Sequence, residues 1–104
     1  MKFLLISRHT NGAQVPADEQ ESNLAAMDEW LKLILPTVAM PARAGVSLTA
    51  NTTTSYQGDV GGIIVFEAES MDHALALAAK SPGLNYGFTH DVFAEISLSD
   101  ASKS

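Results

Sequence analysis

Apolar residues fall in short separated runs, and each run has a period of its own. Phe3 to Ser7 (FLLIS) is apolar without alternation, the pattern of a central strand covered on both faces. Along a strand Phe3, Leu5, Ser7 and His9 share one side, and Leu4, Ile6 and Arg8 the other. Thr10 to Glu21 holds Asn-Gly, a proline and several acids, a loop composition. From there Leu24, Met27, Leu31, Ile34 and Leu35 recur at helical spacing. Ser22 and Asn23 are the N-cap candidates, Pro36 is the stop, and Lys32 stands four residues after Asp28 as a supporting pair. Trp30 flanks the stripe and is expected at a core edge.

Gly61-Gly62 opens the clearest stretch in the chain. Ile63 to Phe66 predicts a buried strand, and Ser70 a helix N-cap with Asp72 favouring the dipole. Met71, Ala74, Leu75 and Ala78 form a stripe whose small alanines allow close approach to a sheet. Ser81-Pro82-Gly83 breaks that helix and Asn85-Tyr86-Gly87 makes a second turn. Asp91 to Leu98 alternates, with Val92, Ala94, Ile96 and Leu98 expected to face the core. Residues 99–104 are polar and expected to fray. Between the halves lies Thr37 to Gly45, in which Pro41 followed by Ala-Arg-Ala-Gly reads as a last helical turn with Gly45 as its stop. Val46 to Ala50 alternates as a strand, and the threonine-rich Asn51 to Gly58 suits an edge or a hairpin.

In order this is strand, helix, strand, strand, helix, strand: a ferredoxin-like βαββαβ α+β fold, with an antiparallel sheet and two helices on one face. The sheet's second face would be half apolar and needs cover. A homodimer through that face is the simplest solution.

At 104 residues the chain is one domain's worth, 1–104. A net charge of −6 with six scattered basic residues, Lys2, Arg8, Lys32, Arg43, Lys80 and Lys103, disfavours nucleic acid and anionic membranes. No apolar run is long enough for a signal peptide or a membrane span. With no cysteine there are no disulfides and no thiolate chemistry, which suits a reducing cytoplasm.

Candidate chemistry starts with the histidines. His9 ends the first strand, where a cleft between sheet and helices opens, and is a candidate general base; a turn histidine is the plain alternative. Glu67 follows the strand in phase with Ile63 and Val65. It is a catalytic carboxylate if that side is enclosed, and otherwise a wet strand end beside Glu69. Asp91 is the other charge partner, and Arg8, Tyr86 and His90 are candidate ligand contacts. The first and last strands need not be neighbours, so His9 and His90 can lie far apart. His73 sits in a helix's first turn and is expected in solvent. No His-x-His or His-x-x-x-His spacing supports a metal, the glycine pairs are not a phosphate loop, and no cofactor is called for.

Gly61, Gly62, Glu67, Ser70, Asp72, Ala74, Leu75, Ala78, Ala79, Pro82, Gly83, Gly87 and Glu95, with the opening strand Lys2 to Ile6, resemble the YCII-related proteins, in particular their DGPF-domain branch. The resemblance implies a dimeric ferredoxin-like α/β barrel and says little about activity. Two features depart from it. The Asp-Gly-Pro-Phe motif is absent, with Asn51 to Asp59 in its place. A reactive pair implied for the YCII branch, a His in the first helix and an Asp near the end of the second, is also missing: Asn23 to Leu35 contains no histidine, and Ser81 takes the Asp position. Three readings follow. One is a protein holding a small organic molecule in its cleft, and another a non-catalytic interaction or regulatory module. By fold analogy alone, the third is a cofactor-free monooxygenase-like enzyme.

Overall fold

Strand β1 (Lys2–Arg8) is the spine of the molecule. The computed structural model describes residues 1–42 and 44–96. β1 pairs antiparallel on one side with β5 (Val60–Glu67) and on the other with β6 (Thr89–Ala94). β2 (Val38–Pro41) adds to β5 as an edge, for a sheet order β2-β5-β1-β6. Helices α1 (Gln20–Ile34) and α2 (Met71–Ala78) complete the ferredoxin-like pattern. No helix of the described residues is long and apolar enough to cross a membrane.

The alternation expected for β1 divides the sheet. Phe3 and Leu5 are buried with Ile64 and Phe66 under the helices, and Val92 and Ala94 pack beside them. Leu4, Ile6 and Arg8 occupy the other face with Ile63, Val65, Val38, Met40 and Phe93, following the strand registers. The phase expected for Val92 and Ala94 holds, but β6 ends at Ala94 and Ile96, also expected in the core, is exposed; Leu98 of that stretch and the 99–104 tail lie outside the described residues.

Both helices differ from expectation in a way that matters for the site. α1 begins three residues before Asn23, and Asn23 turns inward instead of capping. Its buried stripe is Trp30 and Ile34 flanked by Met27 and Leu31, while Leu24 and Leu35 face solvent. Trp30 is thus a core residue (4% exposed), because its indole N–H donates to the Leu77 carbonyl (2.9 Å). That bond ties α1 to α2 and removes the cost of burying a donor. α2 is capped by Ser70 as expected, whose hydroxyl accepts from the His73 N–H (3.1 Å). Ala74 and Ala78 are buried, but Met71 and Leu75 are exposed and Leu77 takes the inner position.

The middle of the chain requires a correction. Val38–Pro41 is the edge strand of the sheet, and the helical turn expected from Pro41 to Gly45 is absent at its described residues. Val46–Leu48 (β3), read as a sheet strand, pairs only with β4 (Thr53–Ser55), in a separate hairpin. Proline is tolerated at a sheet edge, where its missing N–H faces no partner. Leu35, left-handed at φ 49°, turns the chain into that edge.

Candidate functional site

A cavity of about 420 Å³ opens between α1 and the helix-facing side of the sheet. Its floor is Leu5, Ser7 and Gly61 to Ile64, and its roof is Asn23, Met27, Trp30 and Leu31. Ala39 and Pro41 of β2 close one side, and Ser81, Phe88 and His90 the other. Among the described residues, no Asp, Glu, Lys or Arg lines it. The polar groups are few and neutral, a composition typical of small-molecule sites of this size.

The two strand ends that carry the histidines are adjacent. β1 pairs with β6, and His90 stands opposite Ser7, two residues from His9 on the same face. The register of β1 against β5 slips between Ser7 and Arg8, so that Gly61 is an extra residue on β5, a β-bulge that re-aims the strand end. The His9 N–H donates to the Asp59 carbonyl (2.7 Å), and its imidazole lies over Gly61. A Cβ there would collide with Nε2, so the absence of a side chain at Gly61 lets the ring of His9 rest on the strand, whereas a Cβ at Gly62 would make only an ordinary contact with the Met40 carbonyl. The Phe88 ring lies 5.0 Å away at 60°. His9 Nδ1 is 3.2 Å from the Ala13 carbonyl. A carbonyl only accepts, so Nδ1 donates there, and in the neutral tautomer that this contact selects, Nε2 is the bare nitrogen.

His90 repeats this arrangement deeper in. Its Nδ1 lies 3.0 Å from the Thr89 carbonyl and donates to it, leaving Nε2 unprotonated. That Nε2 is buried without a hydrogen-bond partner, as is Oδ1 of Asn23 on the facing helix. Burial holds the His90 pKa below its usual 6.5, so the ring is neutral at pH 7. It stacks on Trp30 (6.2 Å between centroids, 13° between planes). The result is a flat aromatic wall with an acceptor nitrogen at its edge.

The other expected site residues lie elsewhere. Arg8 and Asp91 are on the opposite face of the sheet, where Arg8 Nε donates to Asp91 (2.6 Å) and Nη1 to Asp59 (2.9 Å). These two carboxylates raise the Arg8 pKa above its usual value. Strand alternation causes the separation, since neighbours in sequence point to opposite faces. Glu67 is exposed at the far end of β5, opposite Lys2, and pairs with the Met1 amino group (3.5 Å). Its plain reading as a wet strand end matches this placement, and it does not converge with His9 and Asp91. Tyr86 is half-buried in the 3-10 turn Pro82–Tyr86 and does not line the cavity. His73 is exposed on α2, its Nδ1 accepting from the Glu69 N–H (3.0 Å).

Asn23, Trp30, Ser7 and Ser81 were absent from the candidates. Asn23 sits one turn before Met27 and two before Trp30, and that spacing within the apolar stripe is the signal that could have found it. Among the described residues, no group of three His, Asp or Glu is placed to hold a metal.

The family model of the YCII-related domain matches residues 1–94. The chain belongs to the YCII-related family. No curated protein matches it. Among solved structures, the 5-chloro-2-hydroxyhydroquinone dehydrochlorinase of Burkholderia phenoliruptrix, in complex with 2,5-dihydroxybenzoquinone, is similar. The likeness covers 96% of this chain and 98% of the other, at 24% identity and a TM-score of 0.56. At that identity it concerns the fold. Within this YCII-related chain the imidazoles of the cavity come from the ends of β1 and β6, while α1 contributes Asn23, and Ser81 is buried after α2.

Proposed function

We propose that this protein binds a small, flat, uncharged organic molecule in the cavity under α1, with a hydroxyl or N–H of the ligand donating to His90 Nε2. One observation carries the reading: an apolar cavity whose buried acceptors, His90 Nε2 and Asn23 Oδ1, have no partner among the described residues. An unmet buried acceptor costs about 1–3 kcal/mol, and a ligand donor recovers that cost. Acceptor nitrogens repel carboxylates and phosphates, whereas hydroxylated arenes match both the donor demand and the Trp30 and Phe88 walls. His9, with its bare Nε2 over Gly61, is the second acceptor and the candidate proton carrier. No carboxylate hydrogen-bonds either ring among the described residues, which favours binding over turnover as the basic activity.

The working unit in this reading is a homodimer in the cytoplasm. Ile6, Ile63, Val65, Met40 and Phe93 leave the uncovered sheet face largely apolar, with Phe93 51% exposed. A second sheet packed on it removes that surface from water.

Titration with hydroquinone and catechol, followed through the fluorescence of Trp30, the one tryptophan, tests the binding reading, with benzoate and phenyl phosphate as charged controls. Saturable quenching by the neutral phenols, weakened about tenfold in Asn23→Leu, is expected. Equal binding of the charged controls, or no response to any probe at millimolar concentration, would overturn it.

A further inference from the structure

The hairpin of β3 and β4 stands apart from the sheet. Its strands pair only with each other, and all six strand residues are exposed. Val46 (65% exposed) and Leu48 (79%), two apart on one strand, share a side. A lone two-stranded hairpin is marginal in water, yet this one is well braced. At its root the Tyr56 N–H donates to the Gly45 carbonyl (2.9 Å), and the Val60 N–H donates to the Tyr56 hydroxyl (3.3 Å). The Tyr56 ring fills the space a Cβ of Gly58 would need. At the tip the Thr49 hydroxyl accepts from the N–H groups of Thr52 (2.9 Å) and Asn51 (3.3 Å). Between Arg43 and Asp59 the hairpin arm, 44–58, carries no charge, in a chain of net charge −6.

The sheet face proposed to pair is small. Four strands spaced ~4.8 Å apart, each about six residues at ~3.4 Å, present roughly 400 Å² in projection. The arm leaves from Pro41 at the end of edge strand β2 and returns at Val60 of β5, so its root is continuous with that face. We propose that in the homodimer each arm lies against the other copy, seating the exposed Val46 and Leu48 on it and extending the interface beyond the sheet faces. This rests on the dimer reading above. A second copy is the occupant because arm and face belong to one continuous surface. An uncharged arm also meets an acidic copy without the repulsion a charged one would suffer.

The double variant Val46→Ser/Leu48→Ser, measured by sedimentation equilibrium, is expected to dimerise at least tenfold more weakly than wild type, with its far-UV circular dichroism unchanged. The chain has no cysteine, so Leu48→Cys carrying a benzophenone label reports the arm's neighbour in a nearly native protein, even if the double variant misfolds. Irradiation is expected to give a covalent dimer. A wild type that is monomeric throughout removes the dimer reading and the arm with it. A wild-type dimer whose dissociation constant changes less than twofold in the double variant, or whose label couples only within its own chain, overturns the arm proposal and leaves the dimer standing.

Discussion

Single atoms set the character of the cavity. His90 is neutral because desolvation penalises its charged form, and the Thr89 carbonyl decides which nitrogen keeps the proton. The consequence for stability has a definite sign. Below the usual value of 6.5 the unfolded chain binds a proton at this position while the folded chain does not, so stability is lost as the pH is lowered through that window. It levels off below the folded pKa, and above 6.5 the group contributes no slope. His90→Gln is expected to flatten that part of a denaturation-against-pH curve between pH 7 and 5. An unchanged slope would show that His90 is not the group responsible. Gly61→Ala is expected to push the exposed His9 ring aside at a cost of no more than about 0.5 kcal/mol in chemical denaturation. It should also weaken phenol binding by displacing that ring.

Helix α1 roofs the cavity, and its hold on α2 through Trp30 determines whether the roof stays in place. Trp30→Ala removes a buried indole and leaves the Leu77 carbonyl without its donor. A loss of about 3–5 kcal/mol is expected, read from the urea midpoint. Ser70→Ala, which uncaps α2, should cost about 1 kcal/mol. Much of this level was legible in residue patterns. The apolar runs Phe3–Ser7 and Ile63–Phe66 placed both central strands, alternation gave the two sides of the first, and Ser70 declared its helix. The stripe of α1 was read one step off, because Leu24 and Leu35 are apolar yet face solvent while Asn23 is polar yet turns inward. Leucine exposure costs little individually, so an apolar stripe cannot by itself locate a cavity edge. The edge strand Val38–Pro41 was missed because four residues with a proline show no alternation, whereas Val46–Ala50 alternates strongly in a hairpin outside the sheet. Periodicity reports which residues prefer a strand, and long-range pairing decides which strand joins the sheet. The site was least legible. Asn23, Ser81 and His90 are brought together only by the register of β1 on β6 and the bond between α1 and α2.

For the molecule as a whole, the sheet separates two kinds of chemistry. The helix side holds a neutral cavity, and the other side holds an apolar field with the Asp59–Arg8–Asp91 cluster at its end. Adjacent residues therefore serve different faces: His9 and His90 look into the cavity while Arg8 and Asp91 look away. In the dimer reading Phe93→Glu places a carboxylate in the interface, and light scattering is expected to show a monomer that keeps its circular dichroism spectrum. A persistent dimer would move the interface elsewhere. The account depends most on the bare nitrogen of His90, which long-range ¹H–¹⁵N spectra of the imidazoles observe directly. At pH 7 His90 is expected as the Nδ1–H tautomer, its Nε2 resonance moving toward the hydrogen-bonded range as hydroquinone saturates the cavity. A His90 that is protonated at pH 7, or whose Nε2 is unmoved at saturation, would contradict the account.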